Sequence, residues 1–263
     1  RQTQKKNNIM KEAKELFYDK DFMDKVDQNC ELLCFNNCVV DFGKKTHRKG
    51  QPDDFITKCT NINYVPFAKI ENKEKQTIHD IKEFMKQLFP DDELRNYMWE
   101  HLASVLIGKN RDHAFNIYNG KGANGKSVLV TLMAKALGDY KGTVPITLVT
   151  QKRNSIGSTS SEIVDLMGVR YAVMQEPTKG DKLNEGIMKE ITGGDPIQGR
   201  ALYKDSVVFR PQFKLVVCTN SLFDIGSNDD GTWRRIRVCE FKSKFLEKPG
   251  EDDEFPQDEY CLL

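Results

Sequence analysis

Four residues in one short run define a chemistry. In NIYNGKGANGKSVLVTLM, residues 116–133, Gly120 is followed by four residues and then by Gly125, Lys126 and Ser127. This is the phosphate-binding-loop pattern G-x-x-x-x-G-K-[ST] without a mismatch. Glycine lets the backbone curl, so that N–H groups along Gly120, Lys121, Gly122, Ala123, Asn124 and Gly125 can turn inward onto phosphate oxygens. Lys126 supplies the cation for the β- and γ-phosphates, and the Ser127 hydroxyl is a ligand type for Mg²⁺.

Such a loop works only when a strand delivers it and a helix receives it. AFNIY (114–118) reads as a buried strand and KSVLVTLMAKAL (126–137) as the helix, with Gly138 in the stop position. The helix points its positive dipole end at the same anion. Kinases, switches and motors all use this device, so its partners must decide between them.

Four further segments offer partners. RYAVMQEP (170–177) reads as a strand with Glu176 at its exit and Pro177 ending the ladder. Glu176 is then either an acid that orients water and holds Mg²⁺, or a surface carboxylate after a strand. FKLVVCTN (213–220) is an apolar strand ending in Asn220, which reads as a γ-phosphate contact in the crevice of an open α/β sheet or as a turn residue. In DGTWRRIRV (230–238), Arg234 and Arg235 form either a phosphate-seeking pair or a solvated basic turn. PIQGRALYKDSVVF (196–209) alternates as a β-hairpin with Tyr203, Lys204 and Asp205 near its tip. Arg200 and Lys204 could meet phosphates there, and Tyr203 could stack on a base. The plainer reading is a charged edge.

Composition sets bounds. The chain has 263 residues, 38% hydrophobic and 30% charged, with a formal net charge of +1. That balance neither marks nor excludes nucleic acid, so contact with DNA would be local, in a groove or pore. No run of about 18 apolar residues suggests a membrane span. The 7 cysteines, an odd number, suit a reducing compartment. Cys30, Cys34 and Cys38 are evenly spaced and invite a zinc reading. They lie in a strand-like run, however, and His47 is at a spacing unlike common zinc patterns, so they read as small buried side chains. The chain opens on Arg1 without a signal peptide, which reads as a piece of something longer.

Three regions follow. Residues 1–105 read as a mainly helical N-terminal, collar-like subdomain. It would hold an amphipathic helix at 9–17, strands around an Asn-Asn turn within 31–42, a polar turn at 43–50, and helices at 77–89 and 91–108 broken at Pro90. Residues 106–245 alternate strand and helix signals, with strands at 114–118, 170–175, 213–219 and 235–241, which implies an α/β core with a largely parallel sheet. Residues 246–263 read as an acidic tail or linker.

Taken in order, GKGANGKS, RYAVMQEP, ITGGDPIQGRALY with FRPQFKLVVCTN, and GTWRRIRVCEF resemble the motifs of superfamily 3 helicases. The resemblance is to those fused to primases in nucleocytoplasmic large DNA viruses and in some phages and plasmids. It extends over roughly residues 10–245. It implies an AAA+-type P-loop core in an ATP-driven ring, usually a hexamer, moving on single-stranded DNA. By position, Lys126 and Ser127 would bind triphosphate and Mg²⁺, Glu176 would be the Walker B acid, and Asn220 the γ-phosphate sensor. Arg234 or Arg235 would be an arginine finger for the neighbouring subunit. Segment 191–211 would lead DNA through the channel, with Arg200, Tyr203 and Lys204 as contacts. One departure stands out: many members have two adjacent acids in the second motif, and here Gln175 precedes Glu176. The primase half is expected elsewhere in a longer chain, and the setting in a host's cytoplasm or nucleus. Two other classes share the loop: a small-molecule kinase, and a nucleotide-locked scaffold without turnover.

Overall fold

The computed structural model describes residues 2–151, 159–175, 177, 181–222, 224–226 and 229–246, and the backbone of 260–262. The N-terminal region opens with α1 (Gln2–Leu16), which buries no residue, and α2 (Phe22–Lys25). The amphipathic pattern of 9–17 therefore faces no core of this chain: Ile9, Met10 and Leu16 are 64%, 59% and 73% exposed.

Strands β1 (Leu32–Cys34), β2 (Val39–Asp41) and β3 (Thr46–Arg48) form an antiparallel sheet, with β1 and β2 joined by the expected Asn-Asn turn. The third strand replaces much of the expected polar turn. THR is a short exposed edge held by ladder bonds to β2, and Arg48 is fixed by Asp54 at 2.6 Å, neither of which leaves an apolar pattern.

Helix α3 (Asn72–Leu88) starts five residues before the apolar pattern because a capping box of Glu71 and Glu74 opens it. Helix α4 (Asp92–Ser104) is capped by Asp91, whose carboxylate accepts from the Leu94 N–H at 2.9 Å. It ends short of Gly108, whose N–H donates to Cys30 O at 2.8 Å.

The core continues with β4 (Phe115–Asn119), α5 (Lys126–Leu137), β5 (Lys141–Thr143), α6 (Thr147–Thr150), α7 (Ser161–Val164), β6 (Tyr171–Gln175) and α8 (Glu185–Thr192). Then come β7 (Ile197–Arg200), β8 (Ser206–Phe209), β9 (Lys214–Thr219), α9 (Asp230–Trp233), β10 (Ile236–Glu240), β11 (Lys244–Leu246) and β12 (Tyr260–Leu262). Five strands make one all-parallel sheet in the order β10-β4-β9-β6-β5. The four expected strands are all in it. The fifth, β5, is a three-residue edge too short to signal itself. This is the parallel α/β core that the resemblance implied. Most of the expected tail lies outside the described residues, although the backbone of β12 pairs in parallel with β11.

The central strands are apolar almost throughout because both faces are covered. Tyr118, Tyr171, Val173 and Val216 face one core, which they share with Leu33, Met85, Leu88, Met98 and Leu102 of the N-terminal region. Phe115, Ile117, Ala172, Met174, Leu215 and Val217 face the other, under Met188, Ile191 and the base of the β7–β8 hairpin.

Two buried cations tie the amino ends of β6 and β9 to chain that precedes β4, Arg170 to the N-terminal region and Lys214 to the connection after it. Arg170, 2% exposed, donates to the carbonyls of Cys30 (2.6 Å), Leu32 (3.0 Å) and Asn29 (3.3 Å). Lys214, 4% exposed, donates to Lys109 O at 2.7 Å. Burial pulls the pKa of both below its usual value.

A candidate nucleotide site at the carboxyl end of the sheet

Strand β4 delivers the loop. Its register against β9 sets Asn119 beside Thr219, and the Gly120 N–H donates to Thr219 O at 3.2 Å. Behind the strand, Tyr118 is fixed by His101 of α4, whose Nε2 lies 2.9 Å from the phenol oxygen. Burial drives the His101 pKa down to about 4, with Lys214 a lesser cause, so the ring is neutral at neutral pH.

Two glycines of the loop, Gly120 and Gly125, are required by contact, whereas a Cβ on Gly122 would meet nothing within 4 Å. A Cβ on Gly120 would lie 2.6 Å from Phe241 O. Gly125 has φ +76, and a Cβ there would lie 2.6 Å from Leu88 Cδ1 of α3. Among the described residues, no backbone carbonyl accepts from the N–H groups of Lys121 through Gly125. This leaves a curl of donors at the start of α5.

Lys126 is 8% exposed, and its ammonium lies over the loop, donating to Gly120 O and to Asn220 Oδ1 at 3.2 Å. Ser127, in the first turn of α5, is exposed. Loop, helix and the ends of β6 and β9 surround a cavity of about 860 Å³. Its wall includes Lys126, Ser127, Thr131, Gln175 and Asn220, together with Phe84 and Gln87 of α3 and Phe245 of β11. This donor set fits a polyphosphate, and the volume leaves room for a nucleoside. Cys218 also lines it, with burial pushing its thiol up to about 11, so it is no thiolate nucleophile at neutral pH.

The structure thus brings Gly120 through Ser127 and Asn220 together. Glu176 lies outside the described residues; its neighbour Gln175 is exposed at the cavity, paired in register with Cys218. Sequence reasoning missed Phe84, Gln87, Thr131 and Phe245. No motif marks Phe84, Gln87 or Phe245, because α3 and β11 reach the loop only through the tertiary fold; Thr131 lies in α5 itself, one turn beyond the motif.

The other expected residues are at the opposite end. Ile236 is in register with Phe115, so Arg234 and Arg235 precede the amino end of β10, a strand's length of roughly 16 Å from the loop end. The two differ. Arg235 donates to Gly231 O at 2.7 Å, whereas Arg234 is exposed. The β7–β8 hairpin forms as expected. Arg200 Nε donates to Lys204 O at 3.1 Å, and Tyr203, at φ +59 in the turn, is 94% exposed. The segment leading into the hairpin is tied to the amino end of β4, where His113 Nδ1 donates to Thr192 O at 2.9 Å.

Among the described residues, no group of three or more His, Cys, Asp or Glu is placed to hold a metal ion. Cys30, Cys34 and Cys38 are half-buried, not buried as expected, since they border the small, partly open β1–β2 sheet. Among the described residues, no helix is long and apolar enough to cross a membrane.

Fold and site define an α/β domain with a phosphate-loop motif at the carboxyl end of a parallel sheet. Residues 1–90 match the family described as D5 N terminal like, and residues 118–235 match a family of unknown function, DUF5906. A protein of Acanthamoeba polyphaga mimivirus, named "Putative helicase", is 41% identical over 241 residues, covering 92% of this chain and 25% of that protein. An African swine fever virus protein named "Putative primase" is 27% identical over 260 residues, covering 97% of this chain and 26% of that one. Among solved structures, the C-terminal region of NrS-1 is a distant likeness. Its TM-score is 0.49 at 17% identity, over 61% of this chain and 37% of that one. Residues 1–90 thus carry a D5 N terminal like domain, and nearly the whole chain is similar to proteins of large DNA viruses that are named as putative helicases or primases. The chain spans about a quarter of the length of the curated relatives it matches.

Proposed function

We propose that this chain is the superfamily 3 motor of a viral replication protein: an ATPase that assembles as a ring, expected to be hexameric, and translocates on single-stranded DNA to unwind duplex. The observation that carries the reading is the cavity in which the loop, Lys126 and Asn220 converge.

In this reading Lys126 shifts from Gly120 O to the β- and γ-phosphate oxygens. Asn220, already bonded to Lys126, registers whether the γ-phosphate is present. Ser127, with Glu176, would hold Mg²⁺, which supplies charge neutralisation across the phosphates. Glu176 also orients the attacking water. The missing charge lies at the other end of the sheet. Arg234, exposed and remote from its own chain's loop, would serve the loop of a neighbour, while Arg235 donates to Gly231 O. The hairpin tip, with Arg200, Tyr203 and Lys204, would touch DNA through backbone and base faces. Binding should then be indifferent to sequence and weaken steeply with salt. The primase region would lie in the same longer chain, working in the cytoplasm or nucleus of an infected cell.

Gln175 in place of a second acid favours one rival, a scaffold that binds nucleotide without turnover. The test is ATP hydrolysis per subunit across a protein dilution series, with and without single-stranded DNA, for wild type and Glu176→Gln. Specific activity that rises with concentration and with DNA, and is lost in the variant, is expected. Activity that is flat and blind to DNA would overturn the motor. Absence of phosphate release at every concentration would favour the scaffold.

A further inference from the structure

The phosphate end of the cavity has its chemistry from the loop. Another part of its wall is of a different kind. Phe84 of α3 and Phe245 of β11 face each other there, ring centroids 6.2 Å apart and planes at 34°, beside Gly125 and Val128. Phe245 is held in place by its own backbone: its N–H donates to Ala123 O of the loop at 2.7 Å. Phe84 is held by helix packing, since Leu88, one turn along α3, presses on Gly125. Ser243 Oγ closes the arrangement by donating to Gln87 O at 2.6 Å. An aromatic pair beside a polyphosphate cradle, both lining one cavity of about 860 Å³, matches a ligand with an anionic part and a flat, apolar-faced part.

We infer that Phe84 and Phe245 form the nucleobase wall of this site, so that α3 of the N-terminal region is itself part of the nucleotide-binding surface. The inference rests on the nucleotide reading above and adds what that reading leaves open, a function for part of residues 1–105. Aromatic faces stack on any base, so the wall contributes affinity and positions the nucleoside with little choice between bases.

The test compares Mg²⁺-ATP with Mg²⁺-tripolyphosphate, which has the anion but no base, binding to the full chain by calorimetry. Phe245 is 9% exposed and its loss endangers the fold, so the decisive variant is the half-buried Phe84→Ala, with Phe84→Trp as the conservative partner. Phe84→Ala should weaken ATP about tenfold and leave tripolyphosphate within about twofold, and Phe84→Trp should retain ATP affinity. Equal weakening of both ligands, or of neither, would overturn the inference. Lys126→Ala separates the two claims. If it leaves both ligands bound as in wild type, the nucleotide reading fails. If it removes both while Phe84→Ala changes neither, only the base wall fails.

Discussion

The two ends of the parallel sheet are built to opposite specifications. At the carboxyl end, the loop, Lys126, Asn220 and the Phe84–Phe245 pair turn inward around one cavity, and the elements supplying them are packed together. At the amino end, Arg234 and the hairpin tip with Tyr203 and Lys204 turn outward, exposed. One end is a pocket complete enough to hold a ligand. The other displays cations and an aromatic side chain on the surface. The ring reading proposed above would use this pairing, each chain giving its amino end to what another chain or a DNA strand presents.

The largest effect should come from testing that asymmetry directly. Arg234→Ala should lower ATP turnover by about 10³-fold or more while leaving the Kd for ATP within about twofold. Mixing it with Lys126→Ala should restore turnover, because each chain then supplies what the other lacks. Single-turnover hydrolysis on the mixed assembly reads this out, and turnover unaffected in Arg234→Ala alone would break the comparison.

Next in size is an acid effect at the loop end. The His101 pKa is about 4 in the fold against 6.5 for the free side chain, so between those values the unfolded chain binds more protons. The stabilisation is complete above about pH 6.5 and lost as pH falls towards 4, on the order of 3 kcal/mol. Urea melts across that range should show the slope, and His101→Gln should flatten it.

The smallest effect belongs to the exposed end. Tyr203→Asn, which tolerates the positive φ of the turn, should weaken single-stranded DNA binding about tenfold in fluorescence anisotropy and leave the ATP Kd unchanged.

These contrasts mark where the sequence was readable. The loop, its strand and its helix could be read from residues 114–138 because local sterics and periodicity alone dictate them. The four longer strands of the sheet showed as apolar runs. Short edges did not: β3 and β5 are held by ladder bonds to a neighbour and carry no pattern of their own. The starting point of α3 was hidden in a polar capping box. At the site, Asn220 was found because it ends a buried strand, whereas Phe84 and Phe245 were not, being 161 positions apart and joined only by the fold. Glu176, which the sequence placed at a strand exit, lies outside the described residues.

One of the buried cations described with the fold has a mechanical consequence. Arg170 clamps the N-terminal region to the amino end of β6, and Leu88 and Ser243 clamp it again at the loop. A body gripped at both ends of the same sheet has no hinge against it. If the chain is the motor proposed above, a stroke that begins at the loop would reach the N-terminal region without backlash, as torque through a rigid crank rather than as a pull on a tether.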